Sequence, residues 1–121
     1  MSKVILVIED QEDNRRIMRD LLTSSGYEVI EAVTGEEGVT SAEIHRPALI
    51  LMDVQLPGLD GYEATRRIKA IPALSQIPVI VVTSYALSGD DVKAFEAGCD
   101  AYVAKPFSPR ELLAKIREYI P

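Results

Sequence analysis

Ala48-Leu49-Ile50-Leu51-Met52-Asp53 is an unbroken apolar run that ends in a carboxylate. Uninterrupted runs of this length are typical of parallel strands that are buried on both faces of a sheet. Three further apolar runs, starting at residues 4, 79 and 101, likewise end in polar residues, namely Glu9 with Asp10, Thr83, and Lys105. If the four runs are parallel strands of one sheet, their polar ends lie together at one edge of it.

The size and composition of the chain fit one compact domain. Its 121 residues are 47% hydrophobic, and no apolar run approaches the roughly 20 residues of a membrane span. The first residues lack a signal-peptide pattern and Cys99 is the only cysteine, so a reducing, cytoplasmic environment is expected. The formal net charge of -6 and the lack of a basic cluster argue against binding to nucleic acids or anionic membranes.

Start and stop signals for five helices separate the strands. Three helices have capping residues at their start, which are Thr34 with Glu37, Asp60 with Glu63, and Ser108 with Glu111. The first helix is predicted over residues 14–25, and the fourth is predicted to begin at Ser88. The apolar spacing predicts these inward-facing residues: Ile17, Met18, Leu21 and Leu22 in the first helix, and Val92 and Phe95 in the fourth.

The alternation of strands and helices predicts an α/β fold with an open parallel sheet between two helical layers. The second strand, residues 27–32, is interrupted by two glutamates and the fifth is short, so both belong at sheet edges. A strand order of 2-1-3-4-5 meets this requirement with right-handed crossovers, which makes the fold a flavodoxin-like (βα)5 three-layer sandwich. Ligands bind such sheets where the chain reverses direction, here between the strands that end in Glu9, Asp10 and Asp53.

The polar residues at this edge have the composition of a site for a divalent cation and a phosphoryl group. Carboxylates held close together repel one another, so at least one stays protonated unless a cation joins them. Each residue also has an ordinary explanation as a helix cap, a strand-forming threonine or a solvated lysine. The convergence of Asp10 and Asp53 favours the site. A cis bond in Lys105-Pro106 would aim the ammonium inward.

Four motifs resemble those of the receiver domain of two-component response regulators. They are Glu9-Asp10, Asp53-Val54-Gln55-Leu56-Pro57-Gly58-Leu59-Asp60-Gly61, Thr83-Ser84, and Lys105-Pro106. They occur in the family's order and at the family's strand ends, and the resemblance covers the whole chain. Within the family, the chain is similar to stand-alone CheY-like receivers, and residues 98–102 with Tyr85 are similar to DivK-type cell-division regulators.

The resemblance implies a signalling switch that accepts a phosphoryl group on Asp53. The donor would be a histidine kinase or a histidine phosphotransfer protein. The resemblance also implies a bound Mg²⁺, with Mn²⁺ as the alternative ion. The implied ligands are Asp10, Asp53 and the main-chain oxygen of Gln55, and Glu9 would reach the ion through water.

The same resemblance implies roles for the remaining site residues. Thr83 and Lys105 would contact the phosphoryl oxygens. Thr83 and Tyr102 would form the switch, with Tyr102 changing rotamer on activation. Gln55 and Tyr85 occupy variable family positions beside the path of an attacking water, so they are expected to set the lifetime of the phosphorylated state.

We expect a single receiver domain over residues 1–121 without an output domain. The signal would then leave through a protein that docks on the face formed by the fourth helix, the fifth strand and the fifth helix. Such a domain catalyses only its own phosphoryl transfer and dephosphorylation, and it is not an enzyme that acts on other substrates.

Two other functions remain compatible with the residues. A haloacid-dehalogenase-like phosphatase would carry Asp-x-Asp after the first strand, where this chain has Asp10-Gln11-Glu12, and turnover of p-nitrophenyl phosphate would support it. A phosphate-independent interaction module would keep the fold without the switch, and Mg²⁺-dependent labelling by acetyl phosphate would argue against it. The complete acidic set together with Thr83 and Lys105 favours the switch.

Overall fold

The computed structural model describes residues 3–83 and 90–120, with side chains from Val92 onward in the second range. The strands are β1 Val4–Ile8, β2 Glu28–Ala32, β3 Leu49–Asp53, β4 Val79–Thr83 and β5 Ala101–Ala104. The helices are α1 Glu12–Ser24, α2 Gly35–His45, α3 Gly61–Ala70, α4 Asp90–Glu96 and α5 Pro109–Tyr119. None of the helices in these ranges has both the length and the apolar character that a membrane span requires.

The five strands form one parallel sheet in the order β2-β1-β3-β4-β5, which confirms the predicted topology. β1 lies between β2 and β3, and its last residue, Ile8, pairs with Ala32 on one side and Met52 on the other. The chain reverses its direction of winding between β1 and β3. The carboxyl ends of these two strands therefore flank the point where ligands bind in such sheets.

Helices cover both faces of the sheet, and each face has its own apolar core. On one face, Met18 and Leu22 of α1 pack with Leu112 and Ile116 of α5. On the other face, α2, α3 and α4 contribute small or branched residues, which are Ala42, Ala64, Ile68 and Ala94. Leu112 is fully buried, so replacing it by alanine would cost about 3 kcal/mol of unfolding free energy. Packing in these two cores holds the sheet in place, and the sheet in turn positions the strand ends.

The three predicted helix caps are confirmed. The Thr34 side chain accepts a hydrogen bond from the Glu37 amide at 3.0 Å, and Asp60 accepts one from Glu63 at 2.9 Å. Ser108 caps α5 in the same way, through the Glu111 amide at 3.0 Å. Side-chain oxygens in these positions satisfy amides that have no partner within the helix.

Three residues that were predicted to face inward are exposed, one in α1 and two in α4. In α1, Met18 and Leu22 are buried, but Ile17 is 59% exposed because the helix turns its buried stripe one residue away from it. In α4, Val92 and Phe95 are 52% and 51% exposed. The helix instead packs through Ala94, whose small side chain lets it approach the sheet closely. The predicted start at Ser88 lies outside the described residues.

Candidate phosphoryl and metal site

Three carboxylates converge at the carboxyl ends of β1 and β3. Glu9 is fully buried and Asp53 is 5% exposed, whereas Asp10 is partly exposed. One carboxylate oxygen from each lies within 4.8 Å of the others. The Glu9 amide donates to the Ala32 carbonyl at 3.0 Å, which extends the β1–β2 ladder up to the site. The sheet thus brings together the acidic residues that the sequence placed at the switch point.

Lys105 enters this acidic cluster from the end of β5. Its Nζ lies 2.7 Å from Glu9 Oε1 and 3.7 Å from Asp53 Oδ1, and its side chain is 17% exposed. The Lys105 amide donates to the Thr83 carbonyl at 2.7 Å, which ties the loop to the end of β4. The Lys105-Pro106 peptide bond is cis.

Burial and charge shift the ionisation of the three acids in different directions. Burial raises the pKa of Asp53 to about 7, and the negative charge of Glu9 adds to this against the attraction of Lys105. Although burial disfavours its charged form, hydrogen bonds from Lys105 and the Gln11 amide hold the pKa of Glu9 below its ordinary value. Partial burial and Glu9 raise the pKa of Asp10. This agrees with the expectation that one carboxylate of the set takes a proton in the absence of a cation.

Thr83 and Tyr102 lie on the strands beside the acidic cluster. Thr83 is fully buried and is the last residue of β4, one position beyond Val82, which pairs with Asp53. Tyr102 pairs with Val81 and lies half-buried against the core on the α3 and α4 side of the sheet. The predicted lifetime residue Tyr85 lies outside the described residues.

A polar cleft of about 320 Å³ opens above the acidic cluster. It is lined by Glu9, Asp10, Gln11, Asn14, Asp53, Gln55 and Lys105. Gln55, the predicted main-chain ligand, is therefore at the site, and its side chain is exposed. An apolar groove of about 520 Å³ lies next to the cleft and shares Asn14 and Lys105 with it. A reactant in the cleft would thus be flanked by an apolar surface.

Gly61 allows α3 to begin directly against the phosphoacceptor candidate. A Cβ atom at this position would lie 2.1 Å from the main-chain oxygen of Asp53, a distance that no side chain can adopt. The Gly61 amide instead donates to the Val54 carbonyl at 3.0 Å. The Asp-Gly pair at residues 60–61 therefore has a structural explanation. The aspartate caps α3, and the glycine permits the close approach of α3 to Asp53.

Sequence reasoning did not identify Arg15 as part of this site. Its guanidinium donates to the main-chain oxygens of Glu9 and Asp10, at 3.0 and 3.1 Å. The only signal in the sequence is an arginine five residues after Asp10 in the first turn of a helix, and such a signal is too common to indicate a contact.

The donor set fits a small, hard divalent cation. Three carboxylates within 4.8 Å carry up to three negative charges, and Lys105 offsets one of them. Oxygen ligands of this type are those that Mg²⁺ and Mn²⁺ prefer. The raised pKa values of Asp10 and Asp53 reflect the electrostatic cost that such a cation would relieve.

The chain matches the family described as response regulator receiver domain over residues 5–117. It is 42% identical over 120 residues to the polar-differentiation response regulator DivK of Brucella anthropi, covering 99% of this chain and 98% of that protein. The motif-based resemblance is therefore confirmed.

Solved structures give the same result. The receiver domain of sensor histidine kinase PA1611 from Pseudomonas aeruginosa is 40% identical with a TM-score of 0.93, over 99% of this chain and 98% of that one. Its crystal structure has a magnesium ion coordinated in the active site cleft. A CheY-like receiver domain protein from Methanospirillum hungatei is 35% identical with a TM-score of 0.91, over 98% of this chain and 93% of that one. The similarity thus extends to a whole response regulator and to a domain of a sensor kinase.

Proposed function

Since this chain belongs to the receiver domain family of two-component response regulators, we propose that Asp53 accepts a phosphoryl group from a phosphohistidine in a partner protein. A receiver domain is a signalling switch rather than an enzyme for external substrates. The observation that carries the proposal is the buried position of Asp53 between two acidic residues and Lys105. The chain's own catalysis would then be limited to its phosphorylation and dephosphorylation.

Asp10, Asp53 and the main-chain oxygen of Gln55 would hold Mg²⁺, or Mn²⁺ in its place. The two carboxylate oxygens of Glu9 accept hydrogen bonds from Lys105 and the Gln11 amide, and each retains a second lone pair. Glu9 would therefore contribute through a water molecule that bridges it to the ion. When bound, the ion offsets the repulsion between the anionic nucleophile and the anionic phosphoryl group. Support comes from the acidic cluster and from the magnesium ion in the PA1611 receiver domain.

The reaction requires Asp53 in its ionised form. With its pKa raised to about 7, a large fraction of this carboxyl is protonated at neutral pH until positive charge is added nearby. The ionised Oδ attacks phosphorus, and the bond between phosphorus and the donor imidazole nitrogen breaks with its electrons left on that nitrogen. Lys105 and Thr83, at the ends of β5 and β4, would contact the phosphoryl oxygens as the new bond forms.

The histidine kinase or phosphotransfer protein would dock on the apolar groove beside the cleft. This groove is lined by Ile17, Met18, Leu21, Phe107 and Pro109, together with Lys105 and Asn14 from the cleft. Ile17 is 59% exposed at its rim, whereas Met18 beside it is buried. An apolar partner surface there would exclude water from Asp53 while presenting its phosphohistidine.

The signal would leave through a protein that docks on the face of α4, β5 and α5. Val92 and Phe95 of α4 are about half exposed, and Lys115 and Glu118 line a shallow cavity beside Tyr102. Thr83 would move its hydroxyl to a phosphoryl oxygen, and Tyr102 would respond by changing rotamer.

Gln55 and Tyr85 would slow the approach of water, so we expect faster loss of phosphate from Tyr85→Ala, measured after removal of the donor. We place this switch in the cytoplasm.

The decisive experiment is labelling of Asp53. Incubation with acetyl phosphate and Mg²⁺ should add one phosphoryl group that is labile to hydroxylamine, as seen by intact mass. Asp53→Asn should abolish it, whereas Asp20→Asn, at an exposed position on α1, should leave it unchanged. Labelling of Asp53→Asn at the wild-type rate would place the chemistry elsewhere. A wild type that takes no label but binds a partner would indicate the phosphate-independent module.

A further inference from the structure

Arg15 connects α1, β2 and the loop that carries the acidic pair. One guanidinium nitrogen, Nη1, donates to the main-chain oxygens of Glu9 and Asp10 at 3.0 and 3.1 Å. The Nε atom lies 3.4 Å from a carboxylate oxygen of Glu31 on β2. The Arg15 side chain is only 16% exposed, which is a small fraction for an arginine.

These contacts hold the part of the chain that aims the carboxylates. Glu9, Asp10 and Gln11 are the three residues between β1 and α1. The Glu9 amide donates to the Ala32 carbonyl of β2, and Arg15 donates to the carbonyl oxygens of Glu9 and Asp10, which belong to the next two peptide groups. Gln11 is the N-cap of α1 and its side chain makes no capping hydrogen bond. The guanidinium is thus a principal support for the conformation of this short loop.

We propose that Arg15 is a positioning residue for the cation site. By holding the Glu9 and Asp10 carbonyls against α1, it fixes the direction in which the two carboxylates point toward Asp53. The planar guanidinium suits this role because one group binds both carbonyls while Glu31 fixes its plane. The proposal rests on the proposed function, since it assumes that these carboxylates bind Mg²⁺.

A positioning role and a purely electrostatic role for Arg15 predict opposite effects on Mg²⁺ binding. Arg15 is a cation close to an acidic cluster, so as a charge alone it weakens the attraction of the cluster for Mg²⁺. Removing it would then tighten binding, and replacing it by lysine would change nothing. As a positioning residue it strengthens binding, and lysine cannot replace it, because an ammonium lacks the rigid fork.

Arg19 is the matched control. It lies one turn further along α1 and pairs with the same Glu31 carboxylate, through Nη1 at 3.1 and 2.9 Å. Its side chain is 43% exposed. Arg19→Lys therefore alters the same ion-pair network by the same arginine-to-lysine substitution, at a greater distance from the acidic cluster.

The test is Mg²⁺ titration of the full chain by calorimetry, with melting temperature as the check on folding. Arg15→Lys should weaken Mg²⁺ binding about tenfold, and Arg19→Lys should leave it within twofold of wild type. Hydrogen exchange at residues 9–11 should speed up in Arg15→Lys only. If Arg15→Lys does not fold, Glu31→Gln removes the carboxylate that orients Arg15 and should weaken binding about threefold.

The outcomes separate this proposal from the function on which it rests. Wild-type Mg²⁺ affinity in Arg15→Lys, or tighter binding in Arg15→Gln, would overturn the positioning role and leave the switch intact. Equal weakening in the Arg15 and Arg19 variants would also overturn it, since the effect would then belong to the ion-pair network. A wild type that binds no Mg²⁺ would contradict the proposed function itself.

Discussion

Lys105 is paired with Glu9 more closely than with the phosphoacceptor candidate Asp53. Its Nζ lies 2.7 Å from Glu9 Oε1 but 3.7 Å from Asp53 Oδ1. Glu9 has no exposed surface, so its charge depends on this ammonium and on the Gln11 amide. In the proposed function, Lys105 would therefore stabilise the buried charge of Glu9 while remaining near enough to contact a phosphoryl group on Asp53.

The first prediction is that Lys105→Met destabilises the metal-free protein through Glu9. Removing one partner of a buried ion pair leaves the other charge without compensation, which costs about 3 kcal/mol of unfolding free energy. Adding Glu9→Gln to Lys105→Met should restore most of this loss. Urea unfolding of the two single variants and the double variant measures it.

Lys115→Met is the control for this cycle, because Lys115 pairs with Glu118 at 3.3 Å on an exposed face of α5. Its effect should stay below about 1 kcal/mol. If Lys105→Met has the same unfolding free energy as Lys115→Met, the buried charge of Glu9 does not depend on Lys105 for its stabilisation.

The second prediction concerns the pH dependence of stability in the absence of a cation. The pKa of Asp53 is raised from 3.8 to about 7, so the folded state binds this proton more tightly than the unfolded state. The stabilisation from the proton is complete below the unfolded value and is lost as pH rises through about 7. Asp53→Asn, which resembles the protonated form, should match wild type at pH 4 and be more stable above pH 7, by at most about 4 kcal/mol.

The measurement is urea unfolding of both proteins between pH 4 and 8 with EDTA present. Asp20→Asn on the surface of α1 should show a nearly constant difference from wild type over the same range. A constant difference for Asp53→Asn as well would show that burial does not raise its pKa. Added Mg²⁺ should reverse the order at high pH, since only the aspartate carboxylate attracts the ion.

The sequence predicted the fold and the convergence of the candidate site's carboxylates, because both follow from the strand ends. Apolar runs that end in Asp53 and in Glu9 with Asp10 define strand order, sheet edge and site together. Ile17 and Phe95 were misplaced, since apolar spacing cannot separate a core residue from an apolar residue on a surface. The pairing of Lys105 with Glu9 and the contacts of Arg15 depend on side-chain reach across the fold, which periodicity does not encode.

The third prediction concerns Gly61 at the start of α3. A methyl group there would meet the Asp53 main-chain oxygen at 2.1 Å, so Gly61→Ala must displace either α3 or Asp53. We expect a loss of about 2 kcal/mol or more of unfolding free energy and slower labelling by acetyl phosphate.

Gly26→Ala is the matched control, because Gly26 has a positive φ of 94° but open space around its Cβ position. It should cost about 1 kcal/mol through backbone strain and leave labelling at the wild-type rate. Equal labelling rates in the two variants would show that the approach of α3 does not determine the position of Asp53.

The last prediction concerns Asp10, the most exposed of the three acids. Partial burial and the neighbouring Glu9 raise its pKa, which means that its negative charge is unfavourable without a cation. Asp10→Asn should therefore raise the melting temperature of the metal-free protein by a few degrees and remove most of the increase that Mg²⁺ gives to wild type. Asp13→Asn, which alters an exposed carboxylate paired with Arg16 at 3.3 Å on the next turn, should preserve that increase. An Asp10→Asn protein that Mg²⁺ stabilises as much as wild type would remove Asp10 from the ligand set, while loss of the increase in Asp13→Asn would point to a general effect of surface charge.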